Sequence, residues 1–158
     1  FWDGTVRAIL VAIAAMAGVV FLYFRKLVPA VGIVISGISN IIGTFAIMSL
    51  LGISISASGI AAILMLLGYS IDSNIVLTAR ALKRKELSVK DRIYSAIKTG
   101  MTMSITSIVA LTVLYLASPA AILKTISLIL IIGLLLDLMF TWIQNAGILR
   151  IYLRSGGK

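Results

Sequence analysis

Long uninterrupted apolar runs constrain this chain more than any other feature. A helix needs roughly 20 apolar residues to cross the ~30 Å hydrocarbon core of a bilayer. Five segments reach that length, at about 5–24, 30–51, 57–79, 99–117 and 121–147. Arg25-Lys26 and Pro29 end the first, Arg80 ends the third, and Ser118-Pro119 divides the fourth from the fifth. The fifth is long enough to tilt. Hydrophobic residues make up 61% of the chain and charged ones 12%, whereas a soluble domain is nearer half apolar and a quarter charged. A soluble fold of this size cannot hide so much apolar surface. The runs are continuous and lack the ~10-residue alternating segments of a membrane β-barrel. The expected fold class is therefore an all-α membrane protein, a single bundle of about five transmembrane helices over 1–158.

Basic residues orient the bundle. With the N-terminus outside, every Lys and Arg except Arg7 and Lys124 falls on an inner connection or on the C-terminal tail. The positive-inside rule then favours an outer N-terminus and a cytoplasmic C-terminus in a cell membrane. The same distribution accounts for the net charge of +9 without nucleic acid. Trp2, Tyr23, Phe24, Tyr115 and Tyr152 stand near segment ends, as interfacial anchors do. The chain opens at Phe1 with no basic n-region, so it has no signal-peptide pattern and reads as a fragment lacking its natural N-terminal part.

One connection is long and basic, carrying Arg80, Lys83, Arg84 and Lys85. Ser88-Val89-Lys90-Asp91 within it fits a capping box, so a short amphipathic helix is expected over about 88–98. Two roles are open for it: lying on the inner membrane surface between spans three and four, or docking a cytosolic partner.

The spans hold two acids, Asp72 in the third and Asp137 in the fifth. A charge inside a membrane costs a few kcal/mol or more, so such residues face the bundle interior or a water-filled path. One reading is proton handling, with Asp72 as the expected carrier and Asp137 as a second candidate; the other is a neutral or paired aspartate that joins helices by hydrogen bonds. Asp72 lies on the inner side of the midplane, in the polar run Gly68-Tyr69-Ser70-Ile71-Asp72-Ser73-Asn74. Gly68 permits close helix approach, and Tyr69, Ser70, Ser73 and Asn74 can support a protonatable carboxylate. Ser36, Asn40 and Thr44 recur every four residues on span two, and Thr99, Thr102 and Thr106 share a face of span four. Each can equally serve interhelical hydrogen bonding. There is no Cys and no His, which removes thiolate chemistry and the commonest base and metal ligand. No phosphate loop, nucleophile elbow or zinc motif occurs, so neither an enzyme, a metal site nor a cofactor is expected.

The block Gly68-Tyr69-Ser70-Ile71-Asp72-Ser73-Asn74-Ile75-Val76-Leu77, with Arg80 after it, resembles the SecD/SecF protein-export family of the resistance-nodulation-division superfamily. Ala96-Ile97-Lys98-Thr99-Gly100-Met101-Thr102-Met103-Ser104 and Asn145-Ala146-Gly147-Ile148-Leu149-Arg150 are similar to archaeal members of the SecF type. The resemblance implies six spans in the complete protein, with a large outer domain between the first two; the five here would be spans two to six. It implies a SecD-like subunit, the Sec translocon channel and a translocating polypeptide as partners, besides the lipid bilayer, and use of the proton gradient. The chain departs from the bacterial pattern at two places. Ser73 stands where the SecF-type aspartate falls, and Met101-Thr102-Met103 stands where an arginine is usual. Two other readings remain: a small-molecule or lipid exporter of the same superfamily, and a non-transporting membrane scaffold.

Overall fold

The computed structural model describes residues 1–83 and 88–154. Arg84 and Lys85 of the basic connection lie outside the described residues. In chain order the helices are α1 (Trp2–Phe24), α2 (Leu27–Leu50), α3 (Ala57–Lys83), α4 (Val89–Ala117) and α5 (Ala121–Met139). A π-helical turn, Phe140–Asn145, then leads into α6 (Ala146–Arg154). Among the described residues there is no strand. Five helices are long and apolar enough to cross a membrane, so the chain is a multi-pass α-helical bundle.

Local chemistry sets the helix ends. Arg25 takes a left-handed conformation (φ 52°) and closes α1 with its N–H on the Phe21 carbonyl. Pro29 sits in the first turn of α2, where a missing N–H breaks no hydrogen bond. Gly52 (φ +69°) terminates α2 in a Schellman arrangement. Ile53 N–H reaches the Met48 carbonyl at 2.9 Å and Gly52 N–H the Ser49 carbonyl at 3.2 Å. The Ser88 hydroxyl accepts from Asp91 N–H at 3.2 Å and donates to Asp91 Oδ2 at 2.7 Å, so the cap lies at the expected residue.

Two boundaries differ from those expected. Residues 88–98 are not a separate helix lying across the surface; they form the cap and first turns of the 29-residue α4. No proline interrupts the junction with span four, and Gly100 serves there as a seat for Trp142. A Cβ on Gly100 would fall 1.9 Å from the Trp142 indole. The fifth span, expected as one helix to 147, changes to the π-helical turn after Met139. Within that turn Phe140 packs on Gly43, Thr141 faces Asp137 and Trp142 packs on Gly100. The wider turn lets three successive residues each meet a neighbour.

α5 is the central helix, in contact with α2, α3 and α4, while α1 packs on α2 and α3 from one side. The apolar core draws Met16 and Val20 from α1, Ile33, Ile41 and Met48 from α2, Ile63, Leu66 and Leu67 from α3, and Ile129, Leu130 and Leu134 from α5. Lipid tails are as apolar as leucine, so close packing holds such helices together more than burial from solvent does. Gly133 illustrates the need: a Cβ there would come within 2.1 Å of Leu66 Cδ2. The outward faces of α1 and α4 are apolar and exposed, including Leu22, Val109, Val113 and Leu116.

Candidate intramembrane polar site

Three spans bring polar side chains to one buried point. On α3, Ser70, Ser73, Asn74 and Leu77 recur at helical spacing and form the face turned into the bundle. α2 contributes Asn40, α5 contributes Asp137, and the π-helical turn contributes Thr141 four residues later. Asp137 is 1% exposed. Its Oδ1 accepts a short hydrogen bond from Ser70 Oγ, one of 3.1 Å from Thr141 Oγ1 and a long one of 3.4 Å from Asn40 Nδ2. Asn74 braces the donors: its Nδ2 donates to the Ser70 carbonyl at 2.7 Å and lies 3.3 Å from Thr141 Oγ1. The Ser73 hydroxyl also lies against the carboxyl group.

The site is only partly satisfied. Asp137 Oδ2, Asn40 Oδ1 and the hydroxyls of Ser36, Ser73 and Thr78 are buried without a hydrogen-bond partner. Unpaired buried polar atoms cost roughly 1–3 kcal/mol each, and three of these, Asp137 Oδ2, Asn40 Oδ1 and Ser73 Oγ, belong to the groups gathered at this carboxyl. Asp137 forms no ion pair among the described residues, and no cluster of acids suited to a metal occurs among them.

The candidate residues divide clearly. Asn40, Ser70, Ser73 and Asn74 gather at Asp137. Asp72 does not: it lies on the other side of α3 and is exposed on the bundle surface. Gly68, one turn earlier on that side, has no atom within 4 Å of the Cβ it lacks. A shallow groove runs beside it between α1 and α3, lined by Ala12, Ala15, Met16, Val19, Leu64, Leu67, Gly68 and Ile71. Tyr69 reaches α4 instead, its hydroxyl donating to Ser104 Oγ at 3.2 Å. Thr102 and Thr106 are exposed and bond back to the Lys98 and Thr102 carbonyls at 2.8 and 2.7 Å. Arg80 ties α3 to α4 through Ser95 Oγ at 3.0 Å. Lys83 is the last residue of α3. Thr141 is legible in the sequence only as one of the polar residues, with Gln144 and Asn145, that follow Asp137; the signal for its bond to the carboxyl is the four-residue spacing.

Fold and site together define a polytopic α-helical membrane protein with a buried carboxyl shared among three spans. The family model for the protein-export membrane protein SecD/SecF, C-terminal, matches residues 1–155, and the chain belongs to that family. It is 50% identical over 148 residues to the protein-export membrane protein SecF of Pyrococcus furiosus, covering 94% of this chain and 50% of the relative. Against the SecF of Methanocaldococcus jannaschii the identity is 44% over 158 residues, covering 97% and 56%. Against that of Haloferax volcanii it is 39% over 149 residues, covering 92% and 52%. The chain spans about half the length of the curated relatives it matches.

Proposed function

We propose that this bundle is the membrane-embedded part of a SecF-type auxiliary subunit of the Sec protein-translocation machinery. It works with a SecD-like subunit beside the translocon channel and draws on the proton gradient to promote export of a polypeptide. The family membership and the protein-export relatives support the first statement. A fragment orientation with N-terminus out and C-terminus in follows from the placement of the basic residues.

The observation that carries the mechanism is the carboxyl of Asp137, buried and held through one oxygen by donors from α2, α3 and the π-helical turn that follows α5. Its other oxygen, Oδ2, has no partner and is the atom open to a proton. Protonation removes a buried charge and frees the α2 and α3 donors to release the carboxyl. Deprotonation draws them back. Proton occupancy thereby biases the relative packing of α2, α3 and α5, which is the kind of two-state element an energy-coupled membrane protein requires.

Asp137→Asn in the complete subunit tests this. The amide keeps the shape and some of the hydrogen bonds but cannot cycle a proton. Gradient-dependent export in membrane vesicles is expected to stop while the subunit still inserts and copurifies normally. Wild-type export by that variant would reduce Asp137 to a structural hydrogen-bonding residue.

A further inference from the structure

We propose that the groove between the start of α4 and α6 binds an anionic phospholipid, with Lys90 and Arg150 on its phosphate. The groove is lined by Lys90, Asp91, Ile93, Tyr94, Ile97 and Arg150 and has a volume of about 270 Å³.

Helix length sets its depth. α4 has 29 residues, about 43 Å at ~1.5 Å per residue, and so overruns a ~30 Å hydrocarbon core. α4 and α5 meet at the short turn Ser118–Ala120. Counting about 20 residues back from that turn reaches Lys98 on α4, and the same count forward reaches Phe140. Lys90 and Arg150 both lie beyond those points, on neighbouring helices at the far membrane face. Their backbones lie about 12–15 Å of helix past those points, just outside the headgroup layer, and their long side chains reach back to the level of the phosphates.

The chemistry of the lining matches an amphiphile with an anionic head. Lys90 and Arg150 are exposed and supply two cations. The acid in the lining, Asp91, holds the Ser88 hydroxyl through Oδ2 at 2.7 Å and is committed to the helix cap. Below the charges the wall is apolar. Ile93 is buried against Leu77 and Ala81, Ile97 packs beside it, and Tyr94 is 69% exposed. Tyr94, Ile97, Met101 and Ile105 then share one face of α4, a stripe that leads from the groove into the hydrocarbon zone. An acyl chain can lie along that stripe while its phosphate meets the two cations. Basic pockets between spans at the headgroup level bind anionic lipids by this combination.

The test uses the whole chain purified in a non-ionic detergent and offered equal amounts of phosphatidylglycerol and phosphatidylcholine, with bound lipid counted by native mass spectrometry. Phosphatidylglycerol is expected to be retained in preference. Lys90→Gln with Arg150→Gln is expected to lower that retention by about tenfold or more, since each of the two basic residues contributes roughly fivefold near an anionic surface. Lys90→Gln alone gives a smaller loss of the same kind. Lys124→Gln, at the opposite membrane face, changes nothing. Both groove cations are exposed, so the melting temperature of the double variant serves as the folding control. Equal binding of the two lipids, or full retention by the double variant at an unchanged melting temperature, overturns the proposal. Release of the lipid by low-millimolar inorganic phosphate also overturns it, since the groove would then take a free anion.

Discussion

The Ser70 hydroxyl on α3 donates to Oδ1 of Asp137 on α5, joining residues 67 positions apart through a bond in which both partners are about 1% exposed. In this bundle the link stands in for what an ion pair does elsewhere. The carboxyl gains three donors from neutral groups, none of which fixes its charge.

That bond has a measurable energy. Ser70→Ala is expected to destabilise the bundle by about 1 kcal/mol, the scale of interhelical hydrogen bonds in membranes. Combined with Asp137→Asn, its effect shrinks, because both changes weaken one contact. Reversible unfolding of the two single variants and the double variant measures the coupling. Strict additivity would mean that the two side chains do not interact.

Close helix approach at Gly100 gives a sharper contrast. A Cβ there collides with the Trp142 indole, so Gly100→Ala is expected to cost about 1–3 kcal/mol through overpacking. Trp142→Leu in the same chain relieves the clash and recovers part of the loss. Gly68→Ala is the matched control, because nothing lies within 4 Å of its added methyl. Thermal unfolding in detergent ranks the four proteins. Equal melting temperatures for the two alanine variants would contradict the packing of Trp142 on α4.

Ser88 caps α4 at the membrane face. Ser88→Ala removes the bond to Asp91 N–H and is expected to cost about 0.5–2 kcal/mol. Because 88–98 is continuous with the fourth span, fraying at Val89 propagates into a long helix. Amide hydrogen exchange is expected to quicken over residues 91–94 of the variant and to stay unchanged at Thr112. Unchanged exchange at 91–94 would show that the cap contributes nothing to the helix.

The five spans were legible because lipid demands one simple property, apolarity over about 20 residues, and the chain supplies it five times. The cap at Ser88 was legible for a similar reason, since its chemistry is local. The face on which each acid sits was not. Ser70, Asp72, Ser73 and Asn74 fall within about one turn, so polarity surrounds that part of α3 and periodicity cannot choose the inward side. α5 and the π-helical turn after it make the choice by presenting Asp137 and Thr141 to Ser70 and Asn74. The continuity of α4 was hidden because its charged first turns resemble a surface helix, and nothing local marks a bend or its absence. The π-helical turn depends on Gly43 and Gly100 accepting two large rings, a tertiary fit that short-range pattern does not report.

Asp72 poses the converse problem, a carboxyl on the outside of a bundle whose surroundings are lipid tails. Bare exposure of that group to hydrocarbon costs at least a few kcal/mol. The cost falls if another protein covers the face where Asp72, Gly68 and the α1–α3 groove lie together. Under the proposed function, the protein expected on that face is the SecD-like subunit, with a hydrogen-bond donor or a cation on one of its spans. Asp72→Leu is therefore expected to leave the stability of the separate chain unchanged or slightly raised. The same change is expected to lower copurification with the partner subunit severalfold. Asp72→Asn, which keeps hydrogen-bonding capacity, should fall between wild type and the leucine variant. Melting temperature and partner yield, measured on the same preparations, separate the two effects. Loss of stability in the isolated chain with unchanged partner yield would place the role of Asp72 inside this bundle.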